Sequence, residues 1–411
     1  MSNVDLDTPL VVYLEGRNNF RELTRIKSWS IESDYMTSTD GFEFVAVDDN
    51  IEVLRDLEAQ PVKLTVGGAV QVVGRIDDTM RGDDGLAVTC TGRDYIADLV
   101  ECNVDPTLVI KEKETLGDVI LKTCAPIGIT KIAPESDAAV ALDIRTGVPR
   151  KTRARGNTKQ GGNRSKPFKD ISLEDLKPDI GQGIYEFLNP ICLRQGCTIQ
   201  PTHERNTVLI SSPYYEQEPS YQIVRLRHDT GTTNNVIKAV AKRSFSSFPS
   251  LVIVQGQGAP RTGETTSNSQ FQIDTWYEAQ QQGGELARIL NWITFSGRRK
   301  PGTTDELPLD KIYRLNVFRD EKARNQDQIE KAARRLLAEH LKRSLEYRVT
   351  LRGHADPVSG ALWSHDSIVT VNDDVCDVHE DLWVQARRFS YTESSGPQTE
   401  LICLRPWSFE I

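Results

Sequence analysis

A chain of 411 residues is too long for one small core and, at about 150 residues per domain, suggests two to four. Its 38% hydrophobic and 27% charged residues exclude a wholly disordered or fibrous chain. A net charge of -9 sets the surface as a whole against nucleic acid and anionic membranes, so any such contact has to be local.

The longest apolar runs, such as Leu251 to Val254, fall far short of the ~20 residues that cross a bilayer. Residues 1 to 9 contain Asp5 and Asp7 and lack the basic start and apolar middle of a signal peptide, so the protein is expected to stay where it is made. Seven cysteines, at 90, 102, 124, 192, 197, 376 and 403, are odd in number and hold no CxxC pair, which fits reduced, mostly buried thiols. Cys192, Cys197 and His203 come nearest to a metal pattern, but a structural zinc site uses four ligands in tighter knuckles. No metal or cofactor is expected.

The first hundred residues predict β structure. Leu10 to Leu14, Ser28 to Glu32, Phe42 to Val47, Val62 to Val66, Val70 to Asp77 and Leu86 to Thr91 are short runs bounded by Gly, Asp or Asn. Six such strands favour a small barrel or sandwich. Trp29 and Ile31 alternate with Ser28, Ser30 and Glu32, as strands with one buried face do. Gly67-Gly68 supplies the positive φ angles of a type I′ hairpin. After Gly92-Arg93-Asp94 the pattern becomes helical through Val100, and again over Glu114 to Cys124, where Leu116, Val119, Ile120 and Cys124 share a face and Pro126 ends it. A further helix is predicted on Ile184, Phe187, Leu188 and Ile191, with Gly196 as its stop. Pro190 inside it implies a kink or two short helices. Thr198 to Gln200 should then pair with Val208 to Ile210.

Between these helical segments lies the most unusual stretch. From Arg145 to Lys169 there are nine basic residues and no acidic one, interspersed with Gly, Asn and Pro. Such a run cannot form a core and predicts an exposed loop. Its residues Arg150, Lys151, Arg153, Arg155, Lys159, Arg164 and Lys166 are candidates for contact with an acidic partner protein. Phosphate binding is the less favoured alternative, because Phe168 is the sole aromatic residue available for base stacking.

Strands return from Ile223: Asn235 to Ser244, Leu251 to Gln255 and Ile312 to Val317, with a Gly, Ser, Thr and Gln-rich loop at Gly256 to Gln270. A long helix is predicted over Asp320 to Leu345, with Ala323, Ile329, Ala332, Ala333, Leu336, Leu337 and Leu341 in its stripe and charges matched to its dipole. The chain ends in strands at Tyr347 to Arg352, Ser367 to Val371, Asp381 to Tyr391 and Thr399 to Leu404. No internal sequence repeat is visible. The predicted class is mainly β with an α+β middle domain, in three parts: 1–101, 102–222 carrying the basic loop 145–169, and 223–411 carrying the helix 320–345.

Nothing marks an enzyme. Three consecutive side chains such as Ser364-His365-Asp366 point in different directions and cannot make a catalytic relay. Gly256-Gln257-Gly258 lacks both the third glycine and the following helix of a dinucleotide loop. A peptidoglycan hydrolase and a nucleic-acid-binding protein are the alternatives to a structural role.

Several stretches in order resemble the Mu-type phage tail protein P family, the baseplate hub. They are Trp29-Ser30-Ile31-Glu32 with Gly41-Phe42-Glu43-Phe44, then Val73-Gly74-Arg75-Ile76-Asp77-Asp78, and then Gly92-Arg93-Asp94 with Asp98-Leu99-Val100-Glu101-Cys102. Further on come Arg334 and Arg335, Tyr347 to Gly353, Gly360, Leu362-Trp363 and Val369-Thr370-Val371. The resemblance implies a fold related to the hubs of T-even phages and the N-terminal part of VgrG spike proteins: two tail-tube-type β-barrels joined by an α/β domain, three chains making a ring. It implies a virion protein assembled in the host cytoplasm, with spike, tail tube, baseplate wedge and tape-measure proteins as partners and DNA as passing cargo. The basic loop and the Gly256 to Thr304 excursion depart from the family pattern.

Overall fold

The computed structural model describes residues 9–15, 20–23, 25–37, 39–47, 57–82, 86–111, 114–133, 177–194, 197–213, 215, 217–228, 234–244, 249, 251–256, 270–274, 315–320, 329, 332–334, 336–337, 340 and 344–406. The chain divides into two compact units, Met1–Ala241 with Tyr347–Pro406, and Lys242–Glu346 with Trp407–Ile411.

In the first unit the N-terminal strands are β1 (Leu10–Glu15), β2 (Phe20–Leu23), β3 (Ile26–Asp34), β4 (Gly41–Val47), β5 (Pro61–Val66), β6 (Ala69–Arg81) and β7 (Ala87–Asp94). All six predicted strands are present, and β2 is an addition. The alternation works as expected, because side chains along a strand face opposite ways. Trp29, Ile31 and Ser33 are buried while Glu32 is exposed. Phe42 and Phe44 stack with ring centroids 6.1 Å apart. Gly67 and Gly68, at φ 57° and 82°, turn β5 into β6, a conformation that costs glycine little because it has no Cβ.

The α/β region follows, with α1 (Ala97–Glu101), α2 (Leu116–Cys124), β8 (Lys131–Ala133), α3 (Ile184–Arg194), β9 (Thr198–Pro201) and β10 (Thr207–Ser211). Thr115 and Asp118 close a capping box on α2, each side chain satisfying the other's backbone N–H. β10 lies between an antiparallel β9 and a parallel β8. The predicted stripe Ile184, Phe187, Leu188 and Ile191 is buried in one cluster with Val119, Ile120, Cys124, Ile199 and Val208. Pro190 sits inside a single helix and does not divide it. Gly196 and the basic run 145–169 lie outside the described residues.

The C-terminal strands are β11 (Tyr221–Arg225), β12 (Val236–Arg243), β16 (Leu345–Arg352), β17 (Ile368–Asp373), β18 (Val378–Thr392) and β19 (Gly396–Leu404). The second unit contains β13 (Leu251–Gly256), β14 (Gln270–Asp274) and β15 (Leu315–Asp320), with β13 antiparallel to β14 and parallel to β15. Ile329, Ala333 and Leu337, four residues apart, are helical and buried, as the stripe requires. The predicted ends of that helix are corrected. Asp320 pairs with Gly256 at the end of β15, and Leu345 already begins β16.

Sheet order carries the main result. Thirteen strands form one sheet, in the order β12-β16-β19-β18-β3-β4-β7-β6-β5-β1-β2, with β17 on β18 and β11 on β17. Within it the series β3-β4-β7-β6-β5-β1 and the series β12-β16-β19-β18-β17-β11 run in the same order along the chain. The likeness extends to backbone detail. The register of β6 on β7 shifts between Ile76 and Asp78, and that of β18 on β19 between Val384 and Ala386, so the two long strands carry a bulge at the same point. Immediately before that point Ala59, at φ 56°, donates its N–H to Ile76 O at 3.0 Å. Asp366, at φ 51°, donates likewise to Val384 O at 2.8 Å. Left-handed backbone is uncommon outside glycine, and its recurrence at matching points marks an internal structural duplication. The copies differ at one edge, where β1 is antiparallel to β5 and β11 is parallel to β17. The duplication lies in one continuous sheet, because the outer half of β18 pairs with β3.

Candidate functional site

The motif residues of the first strand set converge on an ion-pair network. Arg75 on β6 stands directly opposite Arg93 on β7, a pairing of like charges that is unfavourable by itself. Three carboxylates offset it. Asp77 accepts from Arg75 Nε at 3.1 Å and from Arg93 Nε at 2.7 Å, and Arg75 also reaches Asp98 at 2.6 Å and Glu101 at 3.0 Å. Arg93 bonds Glu101 as well. The bond to Asp77, foremost, raises the Arg93 guanidinium above its ordinary pKa. Each exposed ion pair contributes only ~0.2–1 kcal/mol. Together, however, the five side chains tie the β6–β7 hairpin to α1 and fix where the α/β region begins.

The glycines of the same motifs have a steric reason. A Cβ on Gly74 would lie 2.0 Å from Arg93 O, and one on Gly92 would lie 2.1 Å from Arg75 O and 2.4 Å from the Phe42 ring. Close backbone approach, which sequence can only suggest, is what requires glycine here.

Ser364-His365-Asp366 is a buried turn. Ser364 donates its hydroxyl to His365 O at 3.0 Å, and Asp366 accepts from Trp383 Nε1 at 2.9 Å. Sequence reasoning missed two buried charged residues nearby. Arg387 donates to Trp363 O at 2.9 Å and Ser33 Oγ at 3.2 Å, and lies over the Phe389 ring at 4.2 Å. Asp373 accepts from Tyr347 Oη at 2.8 Å and from the N–H groups of Val375 and Cys376. Burial would raise the Asp373 carboxyl, but these donors outweigh it and hold it below the ordinary carboxylate value. Arginine is almost never fully buried unless paired, and no local pattern marks Arg387 as the exception.

Among the described residues, no three His, Cys, Asp or Glu side chains are placed to hold a metal ion, and no helix is long and apolar enough to cross a membrane. None of the seven cysteines is in a disulfide, and five are buried. Burial pushes the Cys90 and Cys124 thiols up to about 12. At pH 8 they are then ionised to roughly one part in ten thousand. Iodoacetamide on the native protein at pH 8 is therefore expected to modify Cys102 and Cys376 first and to leave Cys90 and Cys124 intact by peptide mass mapping. Early modification of either buried thiol would show that the strands or α2 open readily.

No family model and no curated protein matches the sequence. Solved structures do match its fold. The tail protein from Neisseria meningitidis MC58 superposes with a TM-score of 0.65 at 17% identity, covering 98% of each chain. The 43 kDa tail protein of prophage MuSo2 from Shewanella oneidensis gives 0.65 at 16%, covering 98% of this chain and 100% of that one. A Francisella PdpA-VgrG complex gives 0.50 at 10%, over 97% of this chain and 58% of that one. The fold is that of phage tail proteins. These structural neighbours match the baseplate-hub family that the sequence motifs resemble.

Proposed function

We propose that this chain is a structural baseplate hub protein of a contractile tail. In this reading three copies form a ring around the DNA channel and adapt the sixfold tail tube to the threefold spike. Residues 1–101 and 223–411 supply the two tube-type barrel domains and 102–222 the domain between them. The observation that carries the reading is the duplicated strand set, within a fold shared over almost the full length with two tail proteins. Two equivalent sets per chain convert threefold into sixfold geometry. Spike, tube, wedge and tape-measure proteins are the partners, and no catalytic centre is assigned.

Averaged electron microscopy of tail particles containing this chain tests the reading: three copies at the junction of tube and spike are expected. Location elsewhere, or a twofold arrangement, would overturn it. Clearing of a peptidoglycan gel, abolished by one Asp or Glu substitution, would favour the hydrolase instead. The basic residues Arg150, Lys151, Arg153 and Arg155 are assigned to contact with an acidic partner outside the channel. Replacing all four by Ser should leave the melting curve unchanged and weaken incorporation into tails, with the larger difference at low salt. Equal incorporation at every salt concentration would sink that assignment.

A further inference from the structure

The duplication leaves one junction unmatched. Inside the chain, the outer half of β18 pairs antiparallel with β3, from Ala386 opposite Asp34 to Thr392 opposite Ser28. Tyr35 N–H donates to the bulged residue Gln385 O at 3.0 Å, and Arg388 meets Glu32 across the join at 3.1 Å. By strand order and by the bulge, the counterpart of β18 is β6 and the counterpart of β3 is β12. Their equivalent join is not formed among the described strands. β12 ends the sheet. Asp78 to Met80, in the outer half of β6, pair with β7 alone among the described strands.

We infer that β12 of one copy pairs with the outer half of β6 of the next, repeating between chains the join that β3 and β18 make within one. Three features of the two strands fit. Met80 is 69% exposed, and Ile237 and Val240 are 46% and 52% exposed, an apolar display that edge pairing would cover. Asp78 shares a face of β6 with Met80, while Lys238 and Lys242 share a face of β12 with Val240, since side chains alternate along a strand. On these faces an acidic residue on one edge and basic ones on the other repeat the charge complementarity of Glu32 and Arg388, while Arg81 lies on the opposite face of β6. The two edges also differ from each other, so the contact is head to tail and propagates around a ring. The inference rests on the hub reading for ring closure and copy number, but the identity of the paired strands comes from the sheet.

A short bismaleimide applied to cysteine variants tests it. The Met80→Cys, Val240→Cys double variant should give a ladder of covalent dimers and higher multiples. An equimolar mixture of the two single variants should give dimers alone, and each single variant no more linkage than the parent. Both positions are exposed, so unchanged melting curves serve as the folding control. Linkage of one single variant with itself would mean a symmetric contact and overturn the proposal. So would absence of linkage, whether or not light scattering shows assembled rings. Rings without linkage would refute the strand pairing and leave the hub reading standing. Linked chains that are missing from purified tails would do the reverse.

Discussion

Gly92→Ala is expected to cost about 3 kcal/mol or more, seen as a fall in the denaturant midpoint at unchanged slope. The added Cβ would lie 2.1 Å from Arg75 O and 2.4 Å from the Phe42 ring. Neither neighbour yields easily. Arg75 belongs to the β6–β7 ladder and is held by Asp77, Asp98 and Glu101, and Phe42 is buried on β4. Overpacking of this kind forces backbone apart, and the displaced hairpin takes with it the network that anchors α1. Gly41→Ala is the control, since a Cβ there meets nothing within 4 Å. It should change stability by less than ~1 kcal/mol. Equal midpoints for the two variants would show that β6 and β7 are not in close contact at Gly92.

Trp383→Ala should cost about 3–5 kcal/mol, the range for removing a buried aromatic side chain and leaving a cavity. Trp383 is fully buried and meets Tyr35 and Tyr215 edge-on, each at 5.5 Å between ring centroids. Its indole N–H also bonds Asp366, a buried residue in left-handed backbone that leads into β17. Trp383→Phe separates the two contributions. It keeps most of the apolar contact but withdraws a donor from Asp366, at a cost of about 1–3 kcal/mol. A Trp383→Ala protein within 1 kcal/mol of the parent would mean that the ring is not packed between the two strand sets.

Much of the fold was legible in the sequence because strands with one buried face declare themselves by alternation. Trp29 and Ile31 were assigned to a buried face from spacing, and Gly67-Gly68 to the hairpin from backbone freedom. The apolar stripe of α2 was equally plain. β2, β8 and β14 were missed because a short segment carries too few residues to show a period. The helix ends near Asp320 and Leu345 were misplaced because helical spacing marks a face and says little about where a ladder takes over.

The site was less legible. Gly74 and Gly92 stand in the sequence only as members of the resemblance motifs, and the Cβ distances to Arg93 O and Arg75 O show why each position is glycine. Arg387 gave no signal, since a buried guanidinium depends on the carbonyl of Trp363 and the hydroxyl of Ser33, from distant parts of the chain.

By itself the sequence determined the β class, most of the strands, the α/β segment and the resemblance to tail hubs. Tertiary structure alone decided which strands are neighbours, and with that the duplication. The reason is physical. A strand's side-chain pattern specifies the face it buries, whereas its neighbours are chosen by backbone hydrogen bonds that every residue can accept and every residue but proline can donate. Gly74-Arg75-Ile76-Asp77 and Leu382-Trp383-Val384-Gln385 share no residue, yet they carry the same bulge at the same place in the same strand order. What the two halves hold in common is a path of the main chain, and side chains do not record it.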